Sequence, residues 1–128
     1  MPRPVRTDRA PAPAGHYSQA VTCHGMVHVS GQLPIDPATG LVIDGDSEKQ
    51  ADRVLQNIAE ILTAAGSSLD LVVSLHVFVN SRDDWAGVNA ACARRFGDHR
   101  PARAIVGGCE LKPGCRVEMT AVAAVREE

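Results

Sequence analysis

Polar and apolar positions alternate along most of this chain, and the period of the alternation changes from one segment to the next. A period near two over residues 17–21 and 26–30 predicts two short strands around a turn at 22–25. From Ala51 the period lengthens. Ala51, Val54, Leu55, Ile58, Ile61, Leu62 and Ala65 recur at intervals of three and four, the mark of a helix with a single apolar stripe. Ser47 with Gln50 three positions later reads as its capping box, and Gly66 as its left-handed C-terminal cap. Residues 70–80 return to a period of two, with Val73, Leu75, Val77 and Val79 on one face and Ser74, His76, Phe78 and Asn80 on the other. A second helix is predicted over 83–97, capped by Ser81 or Asp83, with Trp85, Val88, Cys92 and Phe96 inward. Strands over 102–109 and 115–125 finish the chain, joined across a Lys112-Pro113-Gly114 turn.

Between these elements, residues 35–40 form a turn in which Pro37 sets φ and Gly40 provides the exit. Residues 1–14 hold four prolines without periodicity and are expected to form an extended or flexible arm. The predicted order is β-β-α-β-α-β-β, an α+β two-layer sandwich with one sheet and both helices on one face. The other sheet face is too apolar to be left wet, so an oligomer is expected.

Composition narrows the function classes. At 128 residues the chain fits one domain, taken as 15–128 beyond the arm. Its 13 basic and 15 acidic residues leave a net charge of −2, which argues against nucleic-acid binding through a basic face. Aromatic residues make up 3%, too few for base-stacking platforms. No run approaches the ~18 apolar residues of a membrane span. The first residues lack an apolar export segment, and the four cysteines form no CxxC pair, so a cytoplasmic protein without a disulfide framework is expected. Metal-ligand spacing is also missing. His24 and His28 lie four apart in a strand, about 13 Å from each other.

Candidate chemistry rests on two charged residues in apolar strands. Arg103 interrupts Ala102-Arg103-Ala104-Ile105-Val106, where a guanidinium needs an anion and suits a carboxylate. Glu118 stands between Val117 and Met119 in the last strand. If those two strands pair as a hairpin, Arg103 and Glu118 lie a few residues apart. They then form either a structural salt bridge or a site in which Arg103 holds a substrate carboxylate and Glu118 a water. Tyr17, the lone tyrosine, reads as a packed strand residue or a ligand contact. Ser30-Gly31 is either a strand end or a place where a ligand approaches backbone, and Asn89 reads as a solvated helix position.

The ordered pieces Gly15-His16-Tyr17-Ser18-Gln19-Ala20, Val29-Ser30-Gly31-Gln32-Leu33-Pro34, Pro37-Ala38-Thr39-Gly40, Ala64-Ala65-Gly66, Val77-Phe78-Val79, Trp85-Ala86-Gly87-Val88-Asn89, Pro101-Ala102-Arg103 and Val117-Glu118-Met119-Thr120-Ala121-Val122-Ala123 together resemble the Rid family, the YjgF-like reactive-intermediate deaminases. The resemblance runs over residues 15–125. It implies a chorismate-mutase-like fold with one mixed sheet, assembled as a homotrimer with clefts between subunits. It also implies cofactor-free hydrolysis of enamine and imine carboxylates, such as 2-aminoacrylate, to 2-oxo acids and ammonia. Arg103 falls on the family position that holds the substrate carboxylate, and Glu118 on the one that helps hold the attacking water. Tyr17, Ser30 and Gly31 fall on pocket positions, and the Ile105 backbone carbonyl beside the water. Ala104-Ile105 replaces a more usual Ser-Cys-like pair, and His16 a common proline. Two alternatives accompany this reading: a pathway-specific deaminase with another substrate, and a non-catalytic binder of small carboxylates. An RNA-directed role is a third.

Overall fold

In the computed structural model, which describes residues 1–126, the chain runs β1 (Arg3–Val5), β2 (Ala20–Cys23), β3 (Met26–Gln32), β4 (Ile35–Asp36), β5 (Leu41–Val42), α1 (Ser47–Ala64), β6 (Val72–Val79), α2 (Trp85–Phe96), β7 (Ala102–Val106) and β8 (Val117–Ala124). The main sheet has the order β1-β2-β3-β8-β6-β7, and β4 pairs with β5 in a small separate hairpin. Only the β6–β7 pair is parallel among the described strands, joined through α2 as a βαβ unit. The expected α+β sandwich with a mixed sheet and two helices is the architecture found.

The helices lie on one sheet face because each presents a stripe that must leave water. Val54, Leu55, Ile58, Ile61 and Leu62 of α1 are fully buried. They meet Leu75, Val77 and Val79 of β6 and Val117, Met119 and Ala121 of β8 in one core. Each such aliphatic side chain contributes about 1.5–3 kcal/mol of transfer free energy. Gly66, at φ +79°, ends α1. Its N–H donates to Thr63 O and that of Ser67 to Leu62 O, a Schellman closure. The two helices touch where Gly87 passes the start of α1: a Cβ there would stand 2.6 Å from the Glu48 nitrogen.

Several expectations need correction. Asp46, not Ser47, caps α1, accepting the Lys49 N–H at 2.9 Å. Gln50 is buried instead, donating to the carbonyls of Ile43 (3.1 Å) and Gly114 (2.9 Å) and accepting the Arg116 N–H (2.7 Å). It ties the helix start to the approach to β8. Val73 is exposed, because the ladder to β8 shifts register between Val72 and Ser74 and turns Val72 inward. Trp85 opens α2 half-exposed, and Ala91 takes its place in the inward stripe. Residues 1–14 are extended but are not a separate arm. β1 adds to the sheet edge, and Gln19 clamps the segment by donating to Thr7 O (2.9 Å) and Pro11 O (3.0 Å) while accepting the Thr7 N–H (2.8 Å).

Removing the Gln50 clamp strands three backbone groups. Gln50→Leu is expected to cost about 3 kcal/mol, against about 1 kcal/mol for the cap variant Asp46→Ala. Urea denaturation of both variants checks that order.

Candidate functional site

Arg103 sits on the outermost strand of the sheet. It pairs with Leu75 of β6 and shares its face, so its side chain rises toward α2. There one guanidinium nitrogen donates to Asn89 Oδ1 at 3.0 Å, beside the Cys92 thiol one helical turn further on. Burial pushes the Cys92 thiol above its ordinary pKa, and the adjacent guanidinium opposes that shift. Asn89, expected to be merely solvated, is thus the side chain that orients Arg103. Leu75, Phe96, Arg100 and Pro101 extend this surface into a groove of about 520 Å³. Ile105 lies half-buried two residues on from Arg103, on the same face and opposite Val77.

Glu118 belongs to a second cluster. Val117 and Met119 on either side of it are wholly buried under the helices, so Glu118 emerges on the opposite, open face. It stands against β3 where the ladder breaks between Val29 and Gln32, at Ser30-Gly31. A Cβ on Gly31 would overlap Glu118 Oε2 and lie 3.2 Å from its carboxyl carbon, so glycine makes the space that the carboxylate occupies. Ser30 anchors the bulge: its N–H donates to Gln19 O (2.9 Å) and its hydroxyl to Ser18 O (2.6 Å). Ser18 follows Tyr17, whose exposed ring crosses Gly15 and whose hydroxyl accepts the Ala14 N–H at 3.2 Å. Tyr17 therefore lies in a turn before β2 rather than in a strand. Partial burial raises the Glu118 pKa, and among the described residues it has neither a hydrogen-bond donor nor an ion-pair partner.

The hairpin expected between Arg103 and Glu118 does not exist. β7 and β8 are separated by β6, and Glu118 shares its row with Phe78 and Val106 rather than with Arg103. Two strand spacings and three residues of offset place the two Cα atoms about 14 Å apart. With the side chains on opposite faces as well, a salt bridge within one chain is ruled out, and so is joint contact with one small molecule. The chain thus holds two separate clusters: Arg103, Asn89, Cys92 and Ile105 at one sheet edge, and Glu118, Gly31, Ser30 and Tyr17 around the β3 bulge.

The family model described as Endoribonuclease L-PSP matches residues 7–125. A RutC family protein of Pyrococcus abyssi is 41% identical over 119 residues, covering 93% of this chain and 94% of its own. Among solved structures, a Thermotoga maritima chain with a provisional endoribonuclease name superposes at a TM-score of 0.94 with 46% identity, covering 99% of this chain and all of that one. Escherichia coli TdcF, solved with bound serine, gives 0.90 and 33%, over 97% and 99% of the two chains. Chains named for Rid and YjgF also match. The protein belongs to this L-PSP, or Rid/YjgF, family.

A carboxyl whose pKa is raised by folding holds its proton more tightly in the folded state. Its contribution favours folding below the ordinary value of 4.5 and is lost as pH rises through the raised one. Glu118→Gln is therefore expected to lose less stability than the parent between pH 4.5 and neutrality, as read by denaturation at a series of pH values. Gly31→Ala is expected to displace the carboxylate toward water and lower its pKa, as read by NMR titration of that carboxyl.

Proposed function

We propose that the protein hydrolyses small 2-imino acids, and the enamines that tautomerise to them, to 2-oxo acids and ammonia without a cofactor. The observation that carries this reading is Arg103. Its guanidinium stands at the rim of a groove, oriented by a neutral amide and unmatched by any carboxylate among the described residues. Such a group is poised for a ligand carboxylate, held bidentately. Glu118 complements it as a partly buried carboxyl beside a glycine gap, suited to exchange a proton with a held water.

The chemistry balances with water alone. Protonation of an enamine at its terminal carbon, with loss of an N–H proton, gives the imine, whose C2 is electrophilic. Arg103 holds the carboxylate and Glu118 accepts a proton from water as its oxygen bonds to C2. That proton passes to nitrogen in the tetrahedral intermediate. A second proton, from the new hydroxyl group, passes to nitrogen as the C–N bond breaks and the C=O bond forms, so ammonia leaves and the 2-oxo acid remains. Positioning supplies most of what such a barrier requires.

Because one chain keeps the two half-sites apart, the working site is read as intersubunit, with β7 of one copy facing the β3 bulge of the next. A homotrimer closed in this way also covers the open sheet face, where Val106 is half-exposed and Ala102 and Ala104 are exposed. Free cysteines among the described residues suit a reducing compartment such as the cytoplasm. No helix among the described residues is long and apolar enough to cross a membrane. The endoribonuclease names of some relatives favour an RNA substrate, against which stands the net charge of −2.

An L-amino-acid oxidase generating 2-imino acids, with 2-oxo acid formation followed, tests the reading. The parent protein is expected to accelerate hydrolysis. Arg103→Ala should lose about 100-fold in kcat/KM, the equivalent of about 3 kcal/mol, with Arg103→Lys in between. Glu118→Gln should lower kcat by at least about 100-fold. An Arg103→Ala protein as active as its parent sinks the proposal, and cleavage of an RNA panel by the parent favours the other reading.

A further inference from the structure

The groove between α2 and β7 holds more charge than a single substrate carboxylate requires. Arg100 and Arg103 both line it, on either side of Pro101, above an apolar floor that includes Leu75, Cys92 and Phe96, and no acidic side chain lines it. Three acids of the helix layer are engaged elsewhere, and Asp98, exposed in the turn after α2, does not line the groove. Asp52 pairs with Arg95 at 2.8 Å, Glu48 with Arg94 at 2.7 Å, and Asp84 lies 3.5 Å from Arg116. Arg100 has no hydrogen-bond or ion-pair partner among the described residues, and Arg103 has only the neutral Asn89 amide. His99 belongs to the wall, donating through Nε2 to Val72 O at 2.7 Å with its ring edge-on to Phe96.

Two guanidinium groups lining one groove with no acidic side chain in its wall repel each other, and an occupant with two anionic groups relieves that repulsion. Three positions apart, their Cα atoms are no more than about 10 Å from each other, and both residues line the same groove, within reach of two carboxylates of one short molecule. We propose that this groove is a dicarboxylate subsite. Arg103 takes the carboxylate next to the imine and Arg100 the distal one, so that the chain selects 2-imino acids with an acidic side chain. The methylene spacer lies on the apolar floor. Assignment of the reaction rests on the function proposed above, whereas recognition of a dianion does not.

The test compares kcat/KM for the imines of glutamate and alanine, each made by an amino-acid oxidase, with the parent, Arg100→Gln and Arg100→Lys proteins. The ratio of glutamate- to alanine-derived imine is expected to fall at least tenfold in Arg100→Gln, chiefly through KM, and to recover in part in Arg100→Lys. A ratio unchanged by Arg100→Gln overturns the proposal. If the parent hydrolyses neither imine, the reaction assigned above fails, and calorimetry still reads the groove. The parent should bind 2-oxoglutarate at least tenfold more tightly than 2-oxobutanoate, and Arg100→Gln should erase the difference. Equal affinity for the two acids in the parent overturns the dianion subsite itself.

Discussion

The pairing of the last strand into the centre of the sheet is the constraint on which the rest of this structure depends. β8 hydrogen-bonds to β3 on one side and β6 on the other, so the C-terminal segment joins the first and second halves of the chain. Its inward residues, Val117, Met119, Ala121 and Ala123, are buried under the helices. The same strict alternation that buries Val117 and Met119 turns Glu118 to the opposite face. Core packing and the placement of the Glu118 carboxylate are thus one decision. Gln50 supports it from outside the sheet by holding the Arg116 backbone one residue before β8 begins.

Inserting β8 there also displaces β7 to the edge, where it lies parallel to β6 with one side of its backbone unpaired. An edge strand beneath a helix leaves a groove, and an arginine on the helix-facing side of that strand must lie in it. α2 meets Arg103 with Asn89 and Cys92, one helical turn apart, while α1 draws Arg94 and Arg95 on other faces of α2 into ion pairs. The electrostatics of the groove therefore follow from helix docking. Acids facing α2 across the α1 interface are occupied by its last-turn arginines, and the arginines beside β7 have no carboxylate partner among the described residues.

Division of the site follows from the same geometry. The β3 bulge makes room for Glu118 at Gly31, and Ser30 ties it through Ser18 and Gln19 to the N-terminal segment. Arg103 lies beyond β6 on the other face. A chain of this size has no deep cavity of its own in which to unite them. The two clusters therefore lie at different parts of one sheet, on opposite faces.

How much of this was legible depends on the range of the interactions involved. Both helices, the α1 stripe, the Gly66 cap and the inward Leu75, Val77 and Val79 could be read directly, because burial against any apolar layer imposes the same period whatever that layer is. Local motifs with two solutions misled: Ser47 and Gln50 have capping-box spacing, yet Asp46 captures the helix start and Gln50 is drawn inward by carbonyls more than 60 residues distant in the case of Gly114. Asn89 gave no signal, since its partner becomes its neighbour only through the parallel β6–β7 crossover. The sequence by itself determined which residues are chemically unusual, Arg103 and Glu118 in apolar strands, and which elements carry them. Tertiary structure alone decided that they face opposite ways, because strand order and register are set by long-range pairing, and a period of two is the same whichever neighbour a strand adopts.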